Sequence, residues 1–381
     1  MNITIVQGAF LPVPPLRGGA IEKAFHSLAK QFSDNGHTTN YISRLCDRLP
    51  SRESEGPKLH HTRVPGFNSP KSSLLLKFLD FVYSSRVIGA LPTADILVTH
   101  TFWLPILINK SDTHGKLYVH VGRVPKGQMR FYKNAARLQT VSTPIVEAIK
   151  RETPQVSHEK VKMIPYPLES NFLANIDFSK PRPKRILYAG RIHPEKGLDI
   201  LIDAFLSGCS TSFKDWTLDI LGPWEIRHGG GGDRYLSTLK AKVSGVKGIN
   251  FLDPVFSQNE LASIFERASI FVYPSLAEKG ETFGLAALEA MARGCLTVVS
   301  SLDCFKDFVE SGRNGFIFNH REVHPDEALY NSLVSLTSKA DDPHFLRVRV
   351  DARSTAEEYT SANISKLFLD DFQRILVESS Q

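Results

Sequence analysis

Short, β-rich apolar runs alternate along this chain with longer stretches whose apolar positions recur at helical spacing. The runs predict strands over 3–7, 38–43, 96–100, 116–121 and 138–141 in the first half. In the second half they predict strands over 185–189, 217–221, 249–252, 270–273, 296–300 and 316–318. Helical periodicity falls over 20–35, 198–206, 258–267, 283–293 and 325–338, and again over 362–377. Apolar strands separated by helices are the pattern of parallel sheets built from βαβ units. Two such sets imply two Rossmann-like, doubly wound α/β domains. These are expected to face each other across a cleft, since open α/β sheets bind ligands at the carboxyl ends of their strands.

Length supports this division, because 381 residues exceed one ordinary core and suggest domains of roughly 150–200 residues. Residues 169–184 carry Pro181, Pro183 and several charges without periodicity, so the linker is predicted there. The expected units are 1–170, 171–360 and a C-terminal helical stretch, 361–381, packing back on the first domain.

Hydrophobic residues at 42% and charged residues at 23% match soluble proteins, and no run of about 18 apolar residues is present to span a bilayer. Residues 1–6 lead straight into a strand rather than a basic, apolar leader, so a cytoplasmic location is expected. Cys46, Cys209, Cys295 and Cys304 lack the spacing of a zinc site or a disulfide framework. The net charge of +6 is unevenly placed: residues 1–170 hold 22 Lys+Arg against 12 Asp+Glu, and residues 171–381 hold 24 against 28. The basic half suits an anionic partner such as a membrane surface or a phosphorylated acceptor, or else is ordinary solvated charge. No helix-turn-helix, RRM or zinc-finger pattern supports nucleic acid.

The chemistry-bearing segments lie at predicted strand ends. Gly190-Arg191-Ile192-His193-Pro194-Glu195-Lys196-Gly197 joins a strand to a helix and carries two cations that can reach a diphosphate, or that pair with acids on the surface. Glu281-Thr282-Phe283-Gly284-Leu285, with Glu289 beyond, turns a loop into a helix of small and apolar residues. The amides of Phe283, Gly284 and Leu285 at the positive end of that helix suit a phosphate. Glu289, expected two turns along, then suits a ribose diol, and Glu281 a sugar on the other side of the phosphates. Near the N-terminus, Gly18-Gly19 precedes a helix and permits close backbone approach to a ligand, without matching the dinucleotide or P-loop fingerprints. His100 and His120 each end a buried strand; a core role suits His100, and a substrate hydroxyl suits His120.

With these elements in order, the chain resembles the retaining GT-B glycosyltransferases of family 4, the glycosyl transferases group 1, over nearly its whole length. The most specific element is the pair Glu281 and Glu289 enclosing Phe283-Gly284, preceded by Tyr273-Pro274-Ser275 and followed by Ala290-Met291-Ala292-Arg293-Gly294. Gly18-Gly19 with Glu22, Val141-Ser142-Thr143, Gly190-Arg191 with Lys196-Gly197, and the segment 310–316 support it. The resemblance implies an acceptor-side first domain and a second domain that binds the nucleotide sugar. By it Arg191 and Lys196 bind the donor diphosphate, Glu289 the ribose, Glu281 the donor sugar, and the amides of Phe283 to Leu285 the phosphates. Gly19 approaches the diphosphate from the first domain, and His120 sits beside sugar and acceptor. Three segments depart from the family pattern: Pro165-Tyr166-Pro167-Leu168-Glu169, Leu302-Asp303-Cys304-Phe305-Lys306-Asp307, and Gly222-Pro223-Trp224-Glu225 with the glycines at 229–232.

The implied reaction is transfer of a hexosyl group from a nucleoside-diphosphate sugar to an acceptor hydroxyl with retention, in polysaccharide, lipopolysaccharide or glycolipid assembly. No far-face carboxylate nucleophile is evident, which favours front-face attack assisted by the leaving phosphate. No Asp-x-Asp occurs, and Arg191, Lys196 and the helix terminus can neutralise the diphosphate, so neither a metal nor another cofactor is expected. Donor turnover without an acceptor would instead mark an epimerase or hydrolase of the same fold, and donor binding without turnover a nucleotide-sugar sensor. The acceptor is expected to be a saccharide or a lipid-linked saccharide. Lys71 to Leu91 mixes apolar side chains with Lys71, Lys77 and Arg86, either as a peripheral contact with the inner face of a membrane or as a core-facing helix.

Overall fold

The computed structural model describes residues 1–16, 19–70, 72–108, 112–155, 157–338 and 342–378. The chain divides into two compact units, Met1–Pro167 with Thr360–Gln381, and Leu168–Tyr359.

The first unit carries β1 (Asn2–Val6), β2 (Thr38–Arg44), β3 (Arg52–Glu55), β4 (Leu59–Val64), β5 (Ile96–Thr99), β6 (Lys116–Val121), β7 (Arg137–Thr140) and β8 (Val161–Met163). Its helices are α1 (Ala20–Asp34), α2 (Ser73–Ile88), α3 (Leu104–Leu107) and α4 (Thr143–Glu152). The sheet runs β3-β4-β2-β1-β5-β6-β7-β8, parallel except for the β3–β4 pair. Setting aside β3 and the edge strand β8, the central order is third-second-first-fourth-fifth-sixth, with chain order reversing between β1 and β5. β1 and β5 are buried on both faces along nearly their whole length, and they read as mostly apolar, β-branched runs. Strands β3, β4 and β8 escape that pattern. β4 buries His61 and Arg63, and β3 is a polar edge strand paired back on β4.

The second unit carries β9 (Arg185–Ala189), β10 (Thr217–Leu221), β11 (Ile249–Leu252), β12 (Ile270–Tyr273), β13 (Leu296–Ser300) and β14 (Phe316–Phe318). Its helices are α5 (Leu198–Gly208), α6 (Gly232–Lys242), α7 (Gln258–Glu266), α8 (Leu285–Ala292), α9 (Pro325–Ser338) and α10 (Pro343–Glu357). All six strands are parallel, in the order β11-β10-β9-β12-β13-β14, so the reversal falls between β9 and β12. α8 is shorter than the expected 283–293, because Gly284 adopts a left-handed conformation (φ 83°) and starts the helix one residue later.

Residues 169–184, the predicted linker, lie in the second unit. Ser170–Leu173 forms one helical turn there, and Arg353 of α10 donates to the carbonyls of Phe172 (3.0 Å) and Leu173 (2.6 Å). The chain instead passes between units at Pro167/Leu168 and again at Tyr359/Thr360. The last helix, α11 (Ser361–Glu378), belongs to the first unit and packs along α1. Phe368 and Phe372 meet Phe25 and Phe32 of α1 at ring distances of 5.7 and 5.8 Å. Buried Asp371 anchors the helix to the sheet, pairing with Arg137 at 2.9 Å and accepting from the Tyr118 hydroxyl at 3.0 Å. An ion pair of that geometry satisfies both charges, so it sets where α11 lies along the sheet.

Candidate functional site

In the second unit the sequence-predicted residues gather where the strand order reverses. Gly190 and Arg191 follow β9, and the segment leading to α8 follows its neighbour β12. Lys196 Nζ meets Glu281 Oε2 at 2.6 Å, and both side chains are almost buried, 7% and 10% exposed. Lys196 also lies over the Tyr273 ring, 5.3 Å from its centre. Burial, with the Glu281 carboxylate close by, pushes the Tyr273 hydroxyl well above its usual range. Tyr188 stacks on Tyr273 at 6.0 Å and donates to the Arg191 carbonyl at 2.7 Å, fixing the backbone from which Arg191 departs.

Arg191 is more open. Its guanidinium pairs with Glu195 at 2.7 Å and donates to the Gly229 carbonyl, in the glycine-rich loop that replaces the family's shorter one. Burial raises the Glu195 carboxyl, but the hydrogen bond and charge of Arg191 outweigh it and hold the group below its ordinary value. Both cations thus pair with acids, Lys196 with Glu281 out of solvent and Arg191 with Glu195 at the surface. Glu195, Tyr188 and Tyr273 are site residues that sequence reasoning did not single out. Arg191 lies in the loop before the single turn Pro194–Lys196, so no helical spacing signalled its pairing with Glu195.

Gly284 caps α8 with no side-chain hydrogen bond to the helix start, and the first turn carries no acid. A Cβ on Gly284 would lie 2.2 Å from the Phe305 ring, so only glycine brings the backbone so close while turning into the helix. The Phe283 ring is core, packed on Phe308 (5.4 Å) and Tyr359 (6.0 Å). Glu289 stands four residues after Leu285, hence on the same face of α8 and half-buried, one turn along rather than the expected two.

In the first unit Gly18 lies outside the described residues. Gly19 starts α1 with φ 101°, and the space a Cβ would take holds the Glu22 carboxylate, 2.1 Å away. Glu22 accepts from Gln7 Nε2 at 3.1 Å, and burial raises its carboxyl above the ordinary value. Gly19 thus faces an acid of its own helix. His120 ends β6 buried, with Nδ1 2.6 Å from Gln139 Oε1 and Nε2 3.1 Å from the Tyr166 hydroxyl. Burial brings its imidazole down to about 4. His100 follows β5, its Nδ1 3.0 Å from the Val6 carbonyl and its ring 4.9 Å from that of His120. Burial takes it well below its usual range too.

Among the described residues, one group has the donor set of a metal site: His26, Glu55 and His61, with both histidine Nε2 atoms on Glu55 Oε2 at 2.8 and 3.2 Å. Lys30 holds the other carboxylate oxygen at 2.7 Å, so the carboxylate is already satisfied by three donors. The hollow lined by Lys184, Trp216, Ser269 and Leu296 lies at the amino ends of β9, β10, β12 and β13, opposite the end that carries Arg191 and Lys196. No described helix is long and apolar enough to cross a membrane.

Two doubly wound parallel-sheet units in one chain define the GT-B class of fold. Solved structures with this fold include the sucrose-phosphate synthase of Thermosynechococcus elongatus, at TM-score 0.79 and 15% identity, covering 99% of this chain and 100% of that one. Another is Anabaena Alr3699/HepE in complex with UDP, at TM-score 0.72 and 16% identity, covering 98% of this chain and 100% of that one. Residues 183–338 match the family Glycosyl transferases group 1. The phosphatidyl-myo-inositol mannosyltransferase of Mycobacterium leprae is 32% identical over 155 residues, 40% of this chain and 37% of that protein. The D-inositol 3-phosphate glycosyltransferase of Streptomyces avermitilis is 32% identical over 160 residues, 41% of this chain and 32% of that protein. The matched stretch thus spans about a third of these relatives' own lengths.

Proposed function

We propose that this protein is a retaining glycosyltransferase that moves a hexosyl group from a nucleoside-diphosphate sugar to a hydroxyl of a saccharide or lipid-linked acceptor. The observation that carries the reading is the buried Lys196–Glu281 pair at the strand-order reversal of the second sheet, beside Arg191 and the uncapped start of α8. Lys196 and Arg191 meet the diphosphate, the backbone of Phe283 to Leu285 takes a phosphate, Glu289 takes the ribose diol and Glu281 a donor-sugar hydroxyl. As the anomeric C–O bond breaks, its electron pair goes to the diphosphate oxygen. The acceptor oxygen bonds to the same face of the anomeric carbon and passes its proton to that leaving oxygen. Glu281 is engaged by Lys196 and Tyr273, which supports this course over one in which Glu281 is the nucleophile. The cations and the helix start supply the positive charge that a divalent metal would otherwise bring.

The test is calorimetric binding of UDP, GDP, ADP, CDP and dTDP without added metal, then turnover of the matching sugar nucleotide with and without acceptor. Selective binding of one nucleotide, lost in Lys196→Ala and weakened in Glu289→Ala, is the expected result. Donor turnover at the same rate without acceptor would convert the reading to a hydrolase or epimerase, and no nucleotide binding would end it.

A lipid-linked acceptor at the inner face of a membrane is favoured by α2, which leaves Leu74 78% and Phe78 60% exposed beside Lys77. Lys71, the first residue of this expected surface, lies outside the described residues. Flotation with anionic vesicles should be salt-sensitive and should weaken in Leu74→Ser/Phe78→Ser, with nucleotide binding unchanged. Flotation indifferent to both anionic lipid and salt would remove the membrane reading.

A further inference from the structure

The hydrogen-bond directions around His120 are fixed by its neighbours. Gln139 gives its amide hydrogens to the carbonyls of Thr140 (2.9 Å) and Ile164 (2.7 Å), so Oε1 is the end that faces His120, and it can only accept. His120 Nδ1, 2.6 Å away, must therefore carry the proton. Neutral imidazole then has its lone pair on Nε2, where the Tyr166 hydroxyl donates at 3.1 Å. Gly122 closes over the same point: a Cβ there would sit 2.7 Å from Nε2 and 3.0 Å from the Tyr166 oxygen. The remaining sides of the ring are covered by Phe25 (5.0 Å) and His100 (4.9 Å). The charged groups that act on Tyr166 are Glu22 and Arg123. Tyr166 also falls in one of the segments that depart from the family pattern, Pro165-Tyr166-Pro167.

We infer that Tyr166 is the positioning residue for His120: its hydroxyl on one nitrogen and Gln139 on the other fix the ring's tautomer, protonated at Nδ1, with its Nε2 lone pair directed to a hydroxyl. In this arrangement His120 presents a lone pair at Nε2. It is an acceptor of a hydroxyl hydrogen bond, and a sugar hydroxyl that reaches it takes the place of the Tyr166 hydroxyl or bonds to the far side of that oxygen. Burial favours the neutral ring and outweighs the Gln139 bond, which favours the charged one; a hydroxyl donating to the Nε2 lone pair acts in the same direction as burial.

The kinetic arm of the test rests on the transferase reading, and the spectroscopic arm does not. Nitrogen-15 spectra of the histidine rings of the full chain should show His120 as the Nδ1-protonated tautomer across neutral pH. In Tyr166→Phe, which keeps the ring and removes one hydroxyl, the tautomers should mix and the imidazole should titrate at higher pH than in the wild type. Turnover should fall roughly three- to tenfold in kcat with little change in KM, the scale of one neutral hydrogen bond, and the acid limb of the pH profile should move up. In a His120→Gln background the same Tyr166→Phe change should add nothing to the kinetic loss. A wild-type ring protonated at Nε2, or a Tyr166→Phe protein with unaltered tautomer and titration, would overturn the assignment. Absence of turnover in the wild type would count against the transferase reading while leaving the spectra to decide on Tyr166.

Discussion

At the carboxyl ends of β9 and β12 the polar side chains are paired ions, Lys196 with Glu281 and Arg191 with Glu195. At the carboxyl ends of β1, β5 and β6 they are buried groups pushed toward neutrality: His100 and His120 lowered, Glu22 raised, each chiefly by burial. The two sheets share a central strand order, so topology places a site at the same edge of each and does not decide its electrostatics. The second unit offers paired charge, and on the proposed reading a diphosphate joins Glu281 and Glu195 as a further partner of these cations. The first offers oriented dipoles and neutral acceptors, which suit sugar hydroxyls.

The largest effect that separates the two is expected from Lys196→Ala. Removing one member of a nearly buried pair leaves Glu281 with the Tyr273 hydroxyl alone, at a cost of about 3–5 kcal/mol in stability. Nucleoside-diphosphate affinity should fall about a hundredfold or more, since charge-assisted bonds to the phosphates are lost. Lys196→Met combined with Glu281→Leu should recover the melting temperature without recovering nucleotide binding. Recovery of both would show that Lys196 serves the fold and not the ligand.

How far each region could be read from sequence follows the same contrast. All six strands of the second unit fall at their predicted residues, because each is a short, largely apolar run ended by a loop. In the first unit β4 has no such run: its inward residues include His61 and Arg63, which burial alone would disfavour and which Glu55 and Glu53 make tolerable. Helix α10 was missed although its start was legible, with the Asp342 side chain accepting from the His344 amide and proline at the first helical position. The Lys196–Glu281 pair was within reach, since both residues stood out as candidates, but their contact joins loops 85 positions apart. The Tyr166 contact with His120 had no local signal at all, being set by the packing of a segment after β8 against the end of β6.

The next effect should appear in the dependence of stability on pH. His120 titrates near 6.5 when unfolded and at about 4 when folded, so folding favours its neutral form. Its contribution is complete above pH 6.5 and is lost as pH falls toward 4, about 3 kcal/mol over the whole window. His100 acts in the same direction, and Glu22, whose folded value is raised, acts in the opposite one near its own range. Thermal unfolding of the wild type between pH 7 and pH 4 should therefore be steeper than that of His120→Gln. Parallel curves would mean that His120 keeps an ordinary titration and that its site is wetter than the packing indicates.

The smallest contrast concerns the two glycines that start the helices at these edges. In Gly284→Ala the new Cβ meets the buried Phe305 ring at 2.2 Å with φ at 83°, and neither the ring nor the backbone has room to yield. A loss of about 2–3 kcal/mol is expected, and nucleotide binding should weaken with it, because the start of α8 must shift. In Gly19→Ala the Cβ meets chiefly the Glu22 carboxylate, the far end of a flexible side chain, with the Leu11 methyl behind it at 2.9 Å. Rotation of Glu22 relieves most of that contact, so the backbone conformation at φ 101° dominates and the cost should be about 1 kcal/mol. Displacing Glu22 also removes an acid from the front of Gly19. If the first unit does approach the donor diphosphate there, Gly19→Ala should leave nucleotide affinity unchanged or slightly improved while Gly284→Ala lowers it. Equal losses in both would show that Glu22, far from blocking Gly19, is one of the groups the ligand needs.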